Sequence, residues 1–192
     1  CAEGQCVRDN CTPVCDGAPC SDDGCGGICQ NCSDGKVCTE GACVTPPDEC
    51  TLYVNGSVAS ANGDGRSWFE PFKYLQDALA TAKTFPNNCA AMRIFVSSGT
   101  YTPSRTGDRS EAFELGSHIQ LFGGFHTIGD TPDDADPKKH PTILSGDLLQ
   151  NDEFDFINYE DNSYNVIRGS DLDGTVLLDG FTISGAMNDS LE

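Results

Sequence analysis

The chain has 192 residues, twelve of them cysteine, and a formal net charge of −19, a length that sets one or two domains. Acid is spread along the whole of it: residues 1–49 hold nine acids and two bases, the remainder 21 acids and nine bases. Such a surface repels phosphate backbones and anionic lipid, which argues against nucleic-acid and membrane-surface partners. No apolar run approaches the ~20 residues that span a bilayer.

Residues 1–49 carry ten cysteines and no Phe, Tyr or Trp: Cys1, Cys6, Cys11, Cys15, Cys20, Cys25, Cys29, Cys32, Cys38 and Cys43. The larger apolar residues here are Val7, Val14, Ile28, Val37 and Val44. Burying so few cannot offset the entropy of ordering the segment, so covalent cross-links must hold it. That predicts an oxidising, extracellular setting. Cys25-Gly-Gly-Ile-Cys29-Gln-Asn-Cys32 has a spacing that zinc knuckles also use. No His lies in this region, and the cysteine density favours disulfides, whose connectivity spacing alone does not give.

Cys1-Ala-Glu-Gly-Gln-Cys6-Val7 rhymes with Cys38-Thr-Glu-Gly-Ala-Cys43-Val44. An internal repeat of this kind predicts that the chain opens inside one unit and that another unit precedes it. A rival reading makes Cys1 an acylated lipoprotein N-terminus; the repeat already accounts for a cysteine there. Cys20-Ser-Asp-Asp-Gly-Cys-Gly-Gly resembles the Cys-rich repeats of secreted proteins from predatory and myxobacteria-like bacteria, over about residues 1–44. The resemblance implies a spacer with no known activity. Chitin-binding modules of the hevein type have similar size and cysteine content, but they stack sugar on aromatic rings, and none is present here. Thr45-Pro-Pro-Asp-Glu49 reads as a stiff linker, so the expected division is 1–44, a linker at 45–50, and 51–192.

In the second part, Leu52–Val54 reads as a strand and 56–65 as a turn-rich loop. Pro71 suits the first turn of a helix, and Phe72, Leu75, Leu79 and Ala82 form one apolar stripe, which predicts a helix over 71–84. Pro86 and Asn87-Asn88 end it. Short strand patterns follow at 93–96, 112–115, 119–122, 142–144, 165–167 and 176–183, punctuated by Gly, Asp, Ser and Pro. Ile94, Ile119, Ile143 and Val166 recur every 23–25 residues. Leu121-Phe-Gly-Gly-Phe125 rhymes with Leu177-Leu-Asp-Gly-Phe181, and Thr142-Ile-Leu-Ser-Gly146 with Thr182-Ile-Ser-Gly185. A sandwich would repeat its strands every ~8–12 residues; the longer interval points to a solenoid of β coils.

Tyr53-Val-Asn, Gly63-Asp-Gly-Arg-Ser-Trp68 and Phe72-Lys-Tyr-Leu-Gln-Asp-Ala-Leu79 resemble the N-terminal cap of right-handed parallel β-helix proteins of the pectate-lyase-like superfamily. Ile94-Phe-Val-Ser-Ser-Gly-Thr-Tyr101 resembles a first coil and Leu178-Asp-Gly-Phe-Thr-Ile-Ser-Gly185 a later one. The resemblance implies a mainly β fold: a right-handed parallel β-helix with an N-terminal capping helix, behind a small disulfide-rich domain. The cap would be built on Trp68, Phe72, Leu75 and Leu79, and would cover a strand edge that otherwise templates aggregation. Cys50 and Cys89 bracket that cap, and a disulfide between them is expected. About four coils fit before the last residue with no closing cap, so the solenoid is expected to continue. The fold does not decide function, because this superfamily hosts lyases, hydrolases and adhesins.

Polysaccharide lyases of that fold use calcium-holding carboxylates and a basic residue. Asp147, Asp171, Asp173 and Asp179 are the candidates for calcium, with Arg168 near them in sequence; the plainer reading puts these acids in turns. The acidic run 151–162 reads as a solvated or calcium-ordered loop. His118, His126 and His140 share no metal spacing. Asn10, Asn31, Asn55 and Asn188 open glycosylation sequons, a pattern frequent by chance. No residue stands out as catalytic. The expectation is an extracellular surface protein, a structural or adhesive scaffold that meets polysaccharide, another extracellular protein or its own copies. The rivals are a polysaccharide lyase or hydrolase with its site on later coils, and a carbohydrate-binding surface without chemistry.

Overall fold

A computed structural model describes residues 37–39, 42–44, 50–84, 89–126 and 132–188. The chain divides into two compact units, 1–47 and 48–192. In the first, β1 (Val37–Thr39) and β2 (Ala42–Val44) pair antiparallel, with Cys38 opposite Cys43. The other cysteines of this unit, and its question of zinc against disulfides, lie outside the described residues.

The second unit is mainly β. Its strands are β3 (Thr51–Val54), β4 (Met92–Ser97), β5 (Gly99–Tyr101), β6 (Phe113–Leu115), β7 (Ile119–Phe125), β8 (Thr142–Ser145), β9 (Ile167–Gly169), β10 (Leu177–Asp179) and β11 (Phe181–Ser184). They form three short parallel sheets, ordered β3-β4-β7-β10, β5-β8-β11 and β6-β9. From β4 onward the chain visits the first, second and third sheet in turn, so each strand pairs in parallel with the one three elements later.

Register explains the core. Leu52, Ile94, Leu121 and Leu178 are successive partners, as are Val54 and Val96. These residues pack into the main apolar cluster with Tyr101, Phe113 and Leu144 from the other two sheets. Side chains alternate across a strand, so the intervening residues face the other way. Tyr53, Phe95 and Phe122 are likewise partners, and they stack at ring distances of 5.8 and 5.5 Å. Trp68 and Phe125 complete this second, aromatic cluster.

Four expectations change. The helix, α1, spans Leu75–Lys83 and not 71–84. Phe72 is held extended by backbone bonds to the β3 segment, Phe72 N to Tyr53 O at 2.9 Å and Asn55 N to Phe72 O at 2.8 Å, and a residue so paired cannot also be helical. The buried stripe of α1 is Leu75, Ala78, Leu79 and Ala82, while Phe72 still packs on the main cluster. Trp68 does not pack beside α1; it covers the aromatic ladder, 4.9 Å from Tyr53 and 5.9 Å from Phe125. The interval of 23–25 residues is not the structural repeat. Ile94 and Ile119 lie on paired strands of the first sheet but out of register, Ile94 opposite Leu121 and Ile119 opposite Met92, while Ile143 pairs with Thr100 and Thr182 in a different sheet; the interval therefore joins residues that are not partners. Finally, 176–183 is two strands, separated by Gly180 with φ 78°.

A disulfide joins Cys50, just before β3, to Cys89, just before β4, with 5.6 Å between Cα atoms. It closes a loop that contains β3 and α1. Both cysteines pack against the main core.

Candidate functional site

The structure does not gather Asp147, Asp171, Asp173 and Asp179. The two oxygens of Asp147 accept the backbone N–H of Asn151 and of Asp152, each at 3.1 Å. Asp171 sits in a left-handed turn with φ 52°, and its carbonyl accepts from Ser117. Asp173 accepts from the Thr175 hydroxyl and backbone N–H and lies 3.2 Å from His118 Nε2. The Thr175 bonds, and less so His118, hold the Asp173 carboxyl below the ordinary range. Asp179 is an exposed residue of β10. Among the described residues no group of three or more His, Cys, Asp or Glu side chains is placed to hold a metal. The four acids therefore do not fit a shared calcium ion, and each serves its own turn or strand. Arg168 is engaged elsewhere: it bonds Glu114, its neighbour across the β6–β9 pair, at 3.1 Å and the Ser110 carbonyl at 3.0 Å.

Two of the three histidines come together. His118 is exposed, and the rings of His126 and His140 lie 5.0 Å apart. Asn55, the third sequon asparagine, is buried, its Oδ1 accepting from Ser57 N and Ser97 Oγ. A glycan has no access to its amide nitrogen; Asn188 is exposed.

The concave surface with the most varied chemistry lies where the start of α1 meets the segment after β5. A groove of about 350 Å³ is lined by Gly56, Lys73, Tyr74, Thr100, Tyr101 and Arg105, among others. Local sequence builds it. Gln76 donates to the carbonyls of Thr102 and Pro103, both at 2.8 Å, and so pins that segment to the helix. Arg105 then lies over the Tyr74 ring at 4.5 Å and pairs with Asp77 at 2.9 Å. Lys73 Nζ is 6.0 Å from the same ring. Under the groove the Tyr101 hydroxyl accepts from Gly56 N, donates to Ser97 O and contacts Ser97 Oγ at 3.0 Å. Burial pushes its pKa up, with the Ser97 and Gly56 bonds working the other way. A second cavity of about 530 Å³ shares Gln76 and Arg105 and adds Glu111 and Glu114.

The arrangement offers one partly exposed aromatic ring with two cations against it, on a chain that is otherwise strongly acidic. Cation–π contacts hold such a ring in place. The groove can stack a flat or sugar-like face and meet an anion. Sequence reading passed over Tyr74 and Arg105, because the two are distant in the chain and meet only through Gln76. The available signal was the rarity of Lys and Arg in so acidic a chain.

Comparison with protein-family models, with curated proteins and with solved structures gives no match to this chain.

Proposed function

We propose that the chain is a non-catalytic part of an extracellular scaffold or adhesive protein, in which a disulfide-stapled segment precedes the capped start of a right-handed parallel β-helix. The observation that carries the reading is the pairing rule: each strand from β4 onward pairs in parallel with the strand three elements later. Parallel crossovers of this type are right-handed in nearly all proteins. Stacking of short rungs makes a stiff, extendable rod, which is what display or adhesion requires. The first strand, β3, is not left bare: Gly65 and Phe72 bond its backbone, and the Cys50–Cys89 bond ties this end to the start of β4. Cysteine density and the disulfide support an oxidising location.

The test is catalytic. The secreted chain is incubated with uronate polymers, with and without calcium, and ultraviolet absorbance of unsaturated product is followed. No product is expected; steady release would overturn the scaffold reading in favour of a lyase. The groove at Tyr74 favours a second reading, contact with an acidic polysaccharide. On a glycan array Y74A and R105A are then expected to lose acidic-glycan signal, and equal signal from all three proteins would end that reading.

A further inference from the structure

The loop between β8 and β9 contains a polar pair that is one donor short. Asn162 is fully buried. Its main chain is fixed from two sides: its N–H donates to Tyr159 O at 3.2 Å, and its carbonyl accepts from Arg109 Nε at 2.6 Å. Its side chain meets Asp152, donating from Nδ2 to Oδ2 at 3.0 Å. That leaves Asn162 Oδ1 and Asp152 Oδ1, both buried and both without a hydrogen-bond partner. Two unmet buried acceptors are costly. The two grooves near Gln76 and Arg105 are lined by neither residue, and the smallest group that meets both oxygens is a proton.

The chemistry of the pair points the same way. A carboxylic acid and a primary amide are complementary: the amide N–H donates to one acid oxygen, and the acid O–H donates to the amide oxygen. The first bond is present, and the two atoms that the second would join are the two orphans. An ionised Asp152 only accepts and cannot make it. Neighbouring charges agree. Asp147 and Asp161 lie close to the carboxyl, held by backbone N–H groups: Asn151 and Asp152 donate to Asp147, and Leu149 donates to Asp161 at 2.9 Å. Arg109 comes in from the segment after β5, but it reaches Asn162 at the main chain, bonds Met187 O at 3.3 Å and lies over the Tyr164 ring at 4.6 Å. Desolvation pushes the Asp152 carboxyl up, the Asn162 bond opposes this, and the charges of Asp147 and Asp161 raise it further.

We propose that Asp152 and Asn162 form a proton-operated clasp: with a proton on Asp152 Oδ1 the pair makes two bonds and closes the β8–β9 loop, and loss of that proton loosens it. Ionisation removes the donor and adds a negative charge beside Asp147 and Asp161, in a stretch, residues 141–167, that has no Lys, Arg or His. The consequence is local. The same loop displays Phe154 and Phe156, 95% and 77% exposed, so the clasp fixes the segment that presents them and releases it as pH rises. An amide in place of the acid supplies the missing donor as an N–H at every pH, so D152N imitates the closed form. The proposal stands independently of the scaffold reading.

The test uses the full chain and two readouts. The first follows the Asp152 carboxyl carbon by NMR as pH is raised from below the ordinary Asp range to neutrality, in the folded chain and in urea. The folded carboxyl is expected to ionise at the higher pH of the two. The second compares backbone hydrogen exchange of Asn162 in wild type and D152N at the same pH. At neutrality the wild-type amide is expected to exchange several-fold faster than that of D152N, and below the Asp range the two should agree. An Asp152 carboxyl that ionises no later in the folded chain than in urea would overturn the proposal. So would equal Asn162 exchange in the two proteins at neutral pH; should D152N fail to fold, the carboxyl titration of the wild-type chain decides alone.

Discussion

Tyr101 ends β5 with its ring in the main core and its hydroxyl among Gly56, Ser97 and Asn55, the last through Ser97 Oγ. Removing that oxygen leaves a backbone donor and a serine hydroxyl short of a partner. Tyr101→Phe is therefore expected to cost about 1–2 kcal/mol, read as a lower urea midpoint with an unchanged slope. Asp152 gives a pH prediction. Its carboxyl is raised in the fold, so the fold binds its proton more tightly than the unfolded chain does. The stability this adds is fully present below the ordinary Asp range and is lost as pH rises through the raised folded value. The wild-type midpoint should fall across that window, and in D152N this component should vanish. Identical pH profiles for the two proteins would refute the assignment.

At the scale of elements, α1 shows how tertiary pairing overrides a local signal. Pro71 and Phe72 look like a first helical turn, but bonds from Phe72 to the β3 segment hold that stretch extended, and the helix begins at Leu75. The apolar spacing was legible; the starting point was not, because it depends on a strand twenty residues earlier. Leu79, 3% exposed, lies on the buried stripe, and Leu79→Ala should cost about 2–5 kcal/mol by lost transfer energy and a residual cavity. A second packing test sits in β7. A Cβ on Gly123 would lie 2.6 Å from the Gly180 carbonyl oxygen and 2.9 Å from Thr142 Cβ. Neighbouring strands approach too closely there for any side chain. Gly123→Ala should destabilise by about 1–3 kcal/mol, and an unchanged denaturation midpoint would show that the approach is looser. The rhyme of Leu121–Phe125 with Leu177–Phe181 is one residue out of step in space, because the partner of Leu121 is Leu178 and not Leu177.

Across the whole of the second unit, stability rests on a core shared by three sheets and on one covalent tie. The Cys50–Cys89 bond spans 39 residues, and closing a loop of that size removes unfolded-state entropy worth about 4 kcal/mol. The double variant C50S/C89S should lose on the order of that amount in urea unfolding. A loss below ~1 kcal/mol would mean that packing of α1 against β3 and β6 fixes this end unaided. The exposed Leu172, Leu177 and Ile183 belong to the strands and turns at the opposite edge of the sheets, where β10 and β11 have a neighbour on one side.

Composition alone settled much about this protein. Ten cysteines without an aromatic residue separate the first segment from a second that can bury a core, and Cys50 and Cys89 bracket α1. The apolar runs Leu52-Tyr53-Val54 and Ile94-Phe95-Val96 marked two of the strands. What sequence could not settle was which strand lies beside which. Strand pairing in the second unit depends on contacts between residues 27 to 57 positions apart; the two sequence rhymes joined strands that do pair, β7 with β10 and β8 with β11, each one residue out of register at its start, whereas the 23–25-residue period joined residues that are not partners. The same physics governs the candidate sites. Tyr74 and Arg105 meet because Gln76 ties two segments together, and Asp152 faces Asn162 because the loop folds back upon itself. Four aspartates that look like a set in one dimension are dispersed in three. Periodicity and composition are properties of the chain, whereas an unpartnered oxygen is a property of the packed molecule.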